Sequence, residues 1–188
     1  MPGFVVDGTD SFISKMTEGG ARASLFQAQI ALAGLGSPPQ GTDLADFKFI
    51  CKGIQIPSNT LGITTVNYMG RAVKLPGNRS YEDLTTTVIN DEGYSFRNQT
   101  EHWMANLNSH AGNVRATSHM AKLTGYTTQM YLNTYSKTGG KDGDGWTFYN
   151  IFPTSLDAVD VNWDPNDAIM EYTITWAYEY WLSGDQGP

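Results

Sequence analysis

The C-terminal part of the chain contains an apolar–polar alternation that is typical of a β-strand. Successive strand side chains point to opposite faces, whereas a helix brings every third and fourth residue together. The period of two extends over more than ten residues. The apolar set is Met170, Tyr172, Ile174, Trp176, Tyr178 and Tyr180, and the residues between them are Glu171, Thr173, Thr175, Ala177 and Glu179. The sequence therefore predicts a long strand with one buried face, and a mainly β fold.

A second alternating segment immediately precedes this strand and predicts a hairpin. Val159, Val161 and Trp163 alternate with Ala158, Asp160 and Asn162. The four residues that follow are typical of a turn: Asp164, Pro165, Asn166 and Asp167. A turn centred on residues 165–166 pairs position 161 with 170 and position 159 with 172, which places the apolar residues on one face.

The same register brings two carboxylates together. Asp160 lies opposite Glu171 in this pairing, and like charges directly opposite each other cost up to about 1 kcal/mol. We therefore expect this face to be well solvated, or to meet a cationic partner.

The rest of the chain predicts further strands and one helix. Apolar residues at helical spacing, with Ser95 as a candidate N-cap, predict a helix over 95–108. Residues 21–33 are compatible with a helix or a strand. The extended segments are 44–56, 63–75 (interrupted by Gly70 and closed by Pro76-Gly77), 84–89, 126–135 and 146–152.

The 188 residues are best divided into one domain with short extensions. Residues 1–20 are expected to form a flexible N-terminal arm, 21–183 a single β domain, and 184–188 a short C-terminal tail. Clusters of glycine and proline predict loops at 34–42 and 139–145.

The chain is acidic, and its charge is unevenly distributed. The net charge is −7, with 12 basic and 19 acidic residues, and nine of the acids lie after residue 140. This balance argues against a nucleic-acid-binding domain, which usually carries a basic patch.

Cys51 is the only cysteine, so a disulfide-stapled fold is excluded. The N-terminus has no signal-peptide pattern and no segment is long and apolar enough for a membrane anchor, so we expect a protein assembled in the cytoplasm.

No motif predicts catalysis or a cofactor. The three histidines are spaced by eight and nine residues, so no two share a helical face as metal ligands. The glycine-rich segment 139–145 matches neither a P-loop, because Asp142 follows Lys141, nor an EF-hand. Cys51 lies among apolar residues and is interpreted as an inert buried thiol. We expect no catalytic, cofactor or metal site.

Several segments, in the same order along the chain, resemble those of the tail tube proteins of contractile-tailed bacteriophages of the T-even kind. The most specific covers 75–92, where Gly-Asn-Arg is followed by an aromatic residue, an acidic pair and a Thr/Val strand that ends in Asn-Asp-Glu. Further matches are a first strand at 21–27, a strand ending at Pro57, a helix with Arg97 and Trp103, Phe152-Pro153-Thr154, Val161 to Asp164, and the aromatic strand to Tyr180-Trp181. The resemblance covers about residues 21–183.

The resemblance implies a structural virion protein and no enzyme. Such proteins have a β-barrel or β-sandwich with a helix, related to type VI secretion tubes, and form hexameric rings that stack head to tail into a hollow tail tube. The implied partners are further copies of the chain, the sheath, the tape-measure protein, and the baseplate and terminator proteins. DNA passes through the lumen without specific binding.

This implied role gives the acidic excess a possible location. Asp160, Glu171 and Glu179 are candidates for an acidic lumen, where repulsion would keep DNA from adhering to the wall. The alternative is an acidic interface that meets basic residues of the sheath or of the next ring.

Other functions remain open at this point. A secretion-system tube or a tail-terminal ring would keep the fold. A β-sandwich carbohydrate-binding module belongs to a different class, and glycan titration with and without calcium would distinguish it.

Overall fold

The computed structural model describes residues 20–31, 47–116, 122–137, 139–140, 145–159, 161–163 and 168–184. Nine strands carry most of this structure: β1 (Phe26–Ile30), β2 (Cys51–Gln55), β3 (Asn59–Tyr68), β4 (Arg71–Tyr81), β5 (Leu84–Ile89), β6 (Thr128–Thr134), β7 (Trp146–Leu156), β8 (Glu171–Ala177) and β9 (Tyr180–Ser183). The helices are α1 (Phe47–Ile50), α2 (Ser95–Leu107) and α3 (Leu123–Tyr126). The predicted mainly β fold is confirmed.

Seven strands form one antiparallel sheet that folds around a shared strand, β7. The hydrogen-bonded order is β1-β6-β7-β8-β5-β2, and β9 also pairs with β7. The first half of β7 pairs with β6 and β9, and its second half pairs with β8. Both halves of the sheet supply side chains to one core, so the architecture is sandwich-like.

A bend at Asn150 allows β7 to serve both halves of the sheet. The φ angle of Asn150 is 54°, in the left-handed region that asparagine tolerates better than most residues. Its side chain donates a hydrogen bond to Glu179. Its Oδ1 lies 3.4 Å from Thr127 Oγ1, whose one proton is donated to the carbonyl of Leu123. These contacts hold the bend where the strand changes partners.

The core is centred on β8 and β5. Tyr172, Ile174 and Trp176 are buried, as the predicted alternation requires. Trp176 donates a hydrogen bond from Nε1 to Thr86 Oγ1 of β5 at 2.8 Å, which satisfies its only polar group.

The predicted long C-terminal strand is two strands. β8 ends at Ala177, and Tyr180 begins β9, which pairs with β7 on the other half of the sheet. In β9 it is Trp181 rather than Tyr180 that packs against the core, so the predicted alternation holds only through Tyr178.

The predicted hairpin between 158–163 and 168–180 is wrong. Residues 158, 159 and 161–163 are not in a strand, and β8 pairs instead with the end of β7, as in Leu156 with Ile174. Glu171 therefore pairs with Ile89 of β5 rather than with position 160. Asp160 and the turn residues Asp164, Pro165, Asn166 and Asp167 lie outside the described residues.

The predicted helix is confirmed, but its cap is different. Tyr94 occupies the N-cap position with a φ of 52°, and Ser95 is the first helical residue. Asp91 caps the helix, because its carboxylate accepts hydrogen bonds from the backbone N–H and hydroxyl of Ser95 at 3.0 and 2.7 Å. Burial acts to raise the pKa of Asp91, but these hydrogen bonds outweigh it and lower the pKa below its usual value.

The strand predicted over 44–56 begins only at Cys51. Residues 47–50 form one helical turn, which was missed because it is too short to show a helical period. The turn places Phe47 in the core, stacked on Phe96 with 5.0 Å between the ring centroids. Cys51 itself is half-buried, and burial raises the pKa of its thiol to about 12.

The remaining predictions fall into three groups. Residues 26–30 resolve the ambiguous segment as strand β1, and 84–89 forms β5 as predicted. The glycine-rich segment 139–145 connects β6 and β7, which pair antiparallel. Residues 1–19, 32–46, 141–144 and 185–188, which include most of the predicted arm, the 34–42 loop and the tail, lie outside the described residues.

Candidate assembly interface

A long two-stranded hairpin, β3–β4, forms a sheet of its own. The strands pair from Tyr68 with Arg71 at the tip to Asn59 with Tyr81 at the base. Met69 and Gly70 make the turn, both with positive φ, as the predicted break at Gly70 requires. The predicted end at Pro76-Gly77 is wrong, because a ribbon of two strands leaves a free edge that tolerates proline.

One face of this hairpin is apolar. Residues directly opposite each other share a face, so the pairing of Val66 with Val73 and of Thr64 with Leu75 sets both valines and the leucine on one side. Tyr68 and Arg71 continue that side to the tip. The opposite face carries Thr65, Lys74, Asn67 and Ala72. We call the first side the apolar hairpin face.

The apolar hairpin face is uncovered in the described part of the chain. Val66, Tyr68, Val73 and Leu75 are between 46% and 67% exposed, and Met69 at the tip is 88% exposed. An isolated two-stranded hairpin is only marginally stable in water. A partner that covers this face would therefore stabilise it.

An aromatic cluster fixes the base of the hairpin to the main sheet. Tyr81 packs edge-on against Tyr178 at 6.0 Å and against Trp181 at 6.4 Å between ring centroids. Tyr178 also donates a hydrogen bond to the carbonyl of Glu82 at 2.6 Å. Burial, followed by the nearby charge of Asp83, raises the pKa of Tyr178 to about 12, so this donor keeps its proton. The hairpin is thus anchored at its base and free along its length.

The hairpin is also basic. Residues 59–81 contain Arg71, Lys74 and Arg79 and no acidic residue. All three side chains are exposed.

We call residues 157–171 the acidic segment, of which the structure describes 157–159, 161–163 and 168–171. In sequence it contains five acids and no lysine or arginine: Asp157, Asp160, Asp164, Asp167 and Glu171. Three of its described apolar side chains lie open to solvent, since Val161, Ile169 and Trp163 are 76%, 71% and 99% exposed.

The described ends of the acidic segment are tied to the body of the protein. Arg97 donates from its guanidinium to the carbonyl of Asp157 at 3.1 Å and lies over the Tyr172 ring, 5.2 Å from its centroid. The carbonyl of Met170 accepts from the backbone N–H of Asn90 at 2.9 Å. Between these ends lies a surface pocket of about 460 Å³, lined by residues that include Val159, Ile169, Met170 and Glu171.

The predicted acidic residues are not gathered at one place. Glu171 forms an exposed ion pair with Lys52 at 2.5 Å. Glu179 accepts a hydrogen bond from Asn150 beyond the other end of β8. The strand β8, about 20 Å long at about 3.3 Å per residue, lies between the two carboxylates. Their shared role in a lumen or an interface stays a prediction, and Asp160 lies outside the described residues.

The described residues contain no cluster of three or more histidine, cysteine or acidic side chains arranged to hold a metal. Among the helices described, none combines the length and apolarity needed to cross a membrane.

The apolar hairpin face was missed at the level of sequence. The signal was available, because Val66 and Tyr68 alternate with polar residues as Val73 and Leu75 do. Alternation predicts that one face of a strand is covered, but it does not say whether the cover comes from the same chain.

The same fold occurs in chains of contractile injection systems. A chain in the anti-feeding prophage baseplate, solved with six-fold symmetrisation, superposes with a TM-score of 0.62 and 12% identity, covering 87% of this chain and 95% of that one. A chain in the extended sheath–tube complex of the PVC extracellular contractile injection system gives 0.59 and 15% identity, covering 90% and 95%.

Sequence comparison identifies the family. Residues 21–183 match the phage tail tube protein family. The chain is 26% identical over 161 residues to the tail tube protein gp19 of Enterobacteria phage T4, covering 86% of this chain and 90% of that protein, and the figures for phage T6 are the same. The chain belongs to the phage tail tube protein family and is a structural component of a virion tail.

Proposed function

We propose that this protein forms hexameric rings that stack into the hollow inner tube of a contractile tail, through which DNA is delivered to the host. The family match over 21–183 and the similarity to six-fold symmetrised and sheath–tube assemblies support this role. The subunit has no catalytic role in this proposal. It assembles in the host cytoplasm and functions in the virion.

The uncovered apolar hairpin face is the observation that carries the proposal. Its valines, leucine and tyrosine form a continuous stripe along two strands that the described chain leaves open to water. Soluble monomers rarely expose such stripes, and larger ones usually mark interaction surfaces. In a tube the neighbouring copy covers the stripe, and a hairpin present in every subunit gives a contact that repeats.

The free strands at the two ends of the main sheet offer a second type of contact. β1 and β2 are the terminal strands of the hydrogen-bonded order, so each has one edge that no other described strand pairs with. Pairing of such edges between neighbouring subunits would remove them from solvent and close a ring.

The partners follow from the same role. Relatives by fold occur in complexes with sheath, baseplate, and terminator or cap components. We propose that this tube meets the corresponding sheath, baseplate and terminator proteins, and that it assembles around a tape-measure protein.

For the acidic residues, the exposed side chains around them favour an interface over the lumen. A lumen wall that acts only by repelling DNA does not require exposed apolar side chains such as Trp163 and Ile169. Glu171 already faces a cation, Lys52, which reduces its repulsion of DNA. We therefore assign the acidic segment, with Asp160 and Glu171, to an interface, and leave Glu179 as the candidate for the lumen.

The proposal is tested by comparing two matched double variants with wild type. Val66→Lys with Val73→Glu places a paired charge on the apolar hairpin face, and Asn67→Lys with Ala72→Glu places the same pair on the polar face. Each protein is concentrated, with and without tail baseplates as nuclei, and observed by negative-stain electron microscopy and sedimentation.

We expect hollow tubes or rings from wild type and from the polar-face variant, and folded monomers from the apolar-face variant. Monomers from wild type even with nuclei would contradict the proposed function. Glycan binding by such monomers would then indicate a carbohydrate-binding module.

A further inference from the structure

We propose that DNA passes through the tube over an uncharged wall of threonine hydroxyls, formed by the outward face of β5 and β8. The inference rests on the proposed tube and deepens it, because it names the surface that faces the cargo and the chemistry of that surface. Four residues form this surface, which we call the threonine face: Thr85, Thr87, Thr173 and Thr175.

The threonine face consists of two cross-strand pairs in the middle of the half-sheet β2–β5–β8. Thr85 lies directly opposite Thr175, and Thr87 lies directly opposite Thr173. Gly53 of β2 lies beside Thr87, because a Cβ atom placed on Gly53 would be 3.8 Å from the Cβ of Thr87. The surface is therefore polar and low in relief.

The opposite side of the same two strands belongs to the protein core. Leu84 and Val88 of β5, and Ile174 and Trp176 of β8, are buried. The helix α2 packs on this side through Trp103, whose ring centroid lies 6.0 Å from that of Trp176. The threonine face thus points away from the core and from α2.

The neighbouring strands extend the threonine face without adding a charge beside it. Gln55 of β2 pairs with Thr85, and Ser155 of β7 pairs with Thr175. The side chains of Gln55 and Ser155 are exposed. One row of uncharged polar residues therefore crosses four strands.

Charged residues lie around the threonine face rather than within it. Lys52 and Glu171 form an ion pair at one end, so the two charges offset each other. Asp83 precedes β5 at the other end. Asp157 follows β7 at the side, where its backbone N–H donates to the carbonyl of Thr173 at 3.0 Å. The centre of the face presents hydroxyls to solvent.

The other outward face of the sandwich, on β1, β6, β7 and β9, has different chemistry. Tyr149 and Tyr180 are stacked there with 4.8 Å between ring centroids. Tyr131 lies opposite Gln29. Tyrosine is enriched at protein interfaces, so this face suits a protein partner. The threonine face is better suited to a cargo that must slide without binding.

The chemistry of the threonine face gives DNA little reason to adhere. Affinity for DNA comes largely from lysine and arginine, which neutralise phosphates and release counterions. Threonine hydroxyls release no counterions, and one that bonds to a phosphate gives up a bond to water. Threonine also favours strands, so the wall is polar without weakening the sheet. Passage then depends on the absence of attraction rather than on repulsion by an acidic wall.

Gold labelling tests whether the threonine face lies in the lumen. Thr87→Cys carries a maleimide gold cluster on this face, and Ser155→Cys carries one at its exposed margin. Tyr131→Cys is the matched control on the other outward face. Labelled subunits are mixed with an excess of unlabelled wild type before assembly. Cys51 is retained, because burial keeps its thiol protonated and slow to react.

Averaged cryo-electron microscopy images should show gold in the lumen for Thr87→Cys and Ser155→Cys, and on the outer side of the wall for Tyr131→Cys. Gold on the outer side for the two threonine-face positions would overturn the assignment while leaving the proposed function intact. Absence of tubes from wild type would instead contradict the proposed function.

Retention of a short DNA duplex by sedimented tubes tests the chemistry of the wall. Thr173→Lys adds a cation to the threonine face, and Thr147→Lys adds one to the other outward face. Duplex in the lumen is distinguished from duplex on the outside by its resistance to nuclease.

Wild-type tubes should hold no nuclease-resistant duplex at low salt. Thr173→Lys tubes should hold it, with an affinity that falls about 10³-fold or more between about 50 and 200 mM salt if six lysines of a ring contact phosphates. Duplex held by Thr147→Lys tubes should be digested. Nuclease-resistant duplex in wild-type tubes, or equal digestion in both lysine variants, would overturn the inference.

Discussion

The bend in β7 depends on Asn150, and replacing this residue should give an unusual order of stabilities. Alanine at a left-handed position costs about 1–2 kcal/mol of backbone strain. It also removes the exposed side-chain hydrogen bond to Glu179, worth about 0.5–1.5 kcal/mol. Asn150→Ala should therefore destabilise the fold by about 1.5–3.5 kcal/mol.

Glycine separates the two contributions. Asn150→Gly loses the same hydrogen bond and costs about 0.5–1 kcal/mol in chain entropy, but it removes the backbone strain. Asn150→Gly should thus be more stable than Asn150→Ala by a few tenths to about 1 kcal/mol. Urea unfolding of dilute, monomeric protein, followed by tryptophan fluorescence, gives the free energies of unfolding.

Ser155 provides the matched control on the same strand. It is exposed and its backbone is outside the left-handed region. There the order should be reversed, with Ser155→Gly less stable than Ser155→Ala. If glycine is the less stable replacement at both positions, the reasoning about the bend is refuted.

Three further predictions concern the core, the thiol and the helix cap. Thr86→Val should lower the free energy of unfolding by about 1–3 kcal/mol because Trp176 Nε1 loses its acceptor, whereas Thr86→Ser should keep most of it, as chemical denaturation would show. Cys51 has a pKa of about 12, so thiol reagents at pH 8 should modify it far more slowly in the folded protein than in urea; equal rates would contradict its burial. Asp91→Ala should cost about 1 kcal/mol at pH 6 through loss of the Ser95 cap. Because folding lowers the pKa of Asp91, this difference should shrink as the pH falls below about 4, and a pH-independent difference would contradict the assignment.

Much of the fold was predictable because its signals are local. The alternation around Trp176 reflects a strand whose one face is buried, and the same pattern revealed β5. The helix over 95–107 was visible because four turns are long enough to show a period.

The errors arose where distant contacts decide the structure. Val161 and Trp163 alternate as a strand would, yet β8 takes its partners from β7 and β5, which the local pattern cannot reveal. The single turn at 47–50 is fixed by the packing of Phe47 on Phe96 and Trp176, which are far away in sequence.

The candidate interface was predictable only in part. The acidic character of 157–171 is a property of the sequence, and so is the basic character of 59–81. That the hairpin stands apart from the main sheet follows from topology. The exposure of Val66 and Val73 points to a partner that the sequence of a single chain does not reveal.

A cryo-electron microscopy reconstruction of tubes grown from this protein tests the central claim most directly. The account predicts a hollow, six-fold tube in which a neighbouring copy covers Val66 and Val73. A tube in which the hairpin points into solvent, or purified protein that forms no tube even on tail baseplates, would contradict it.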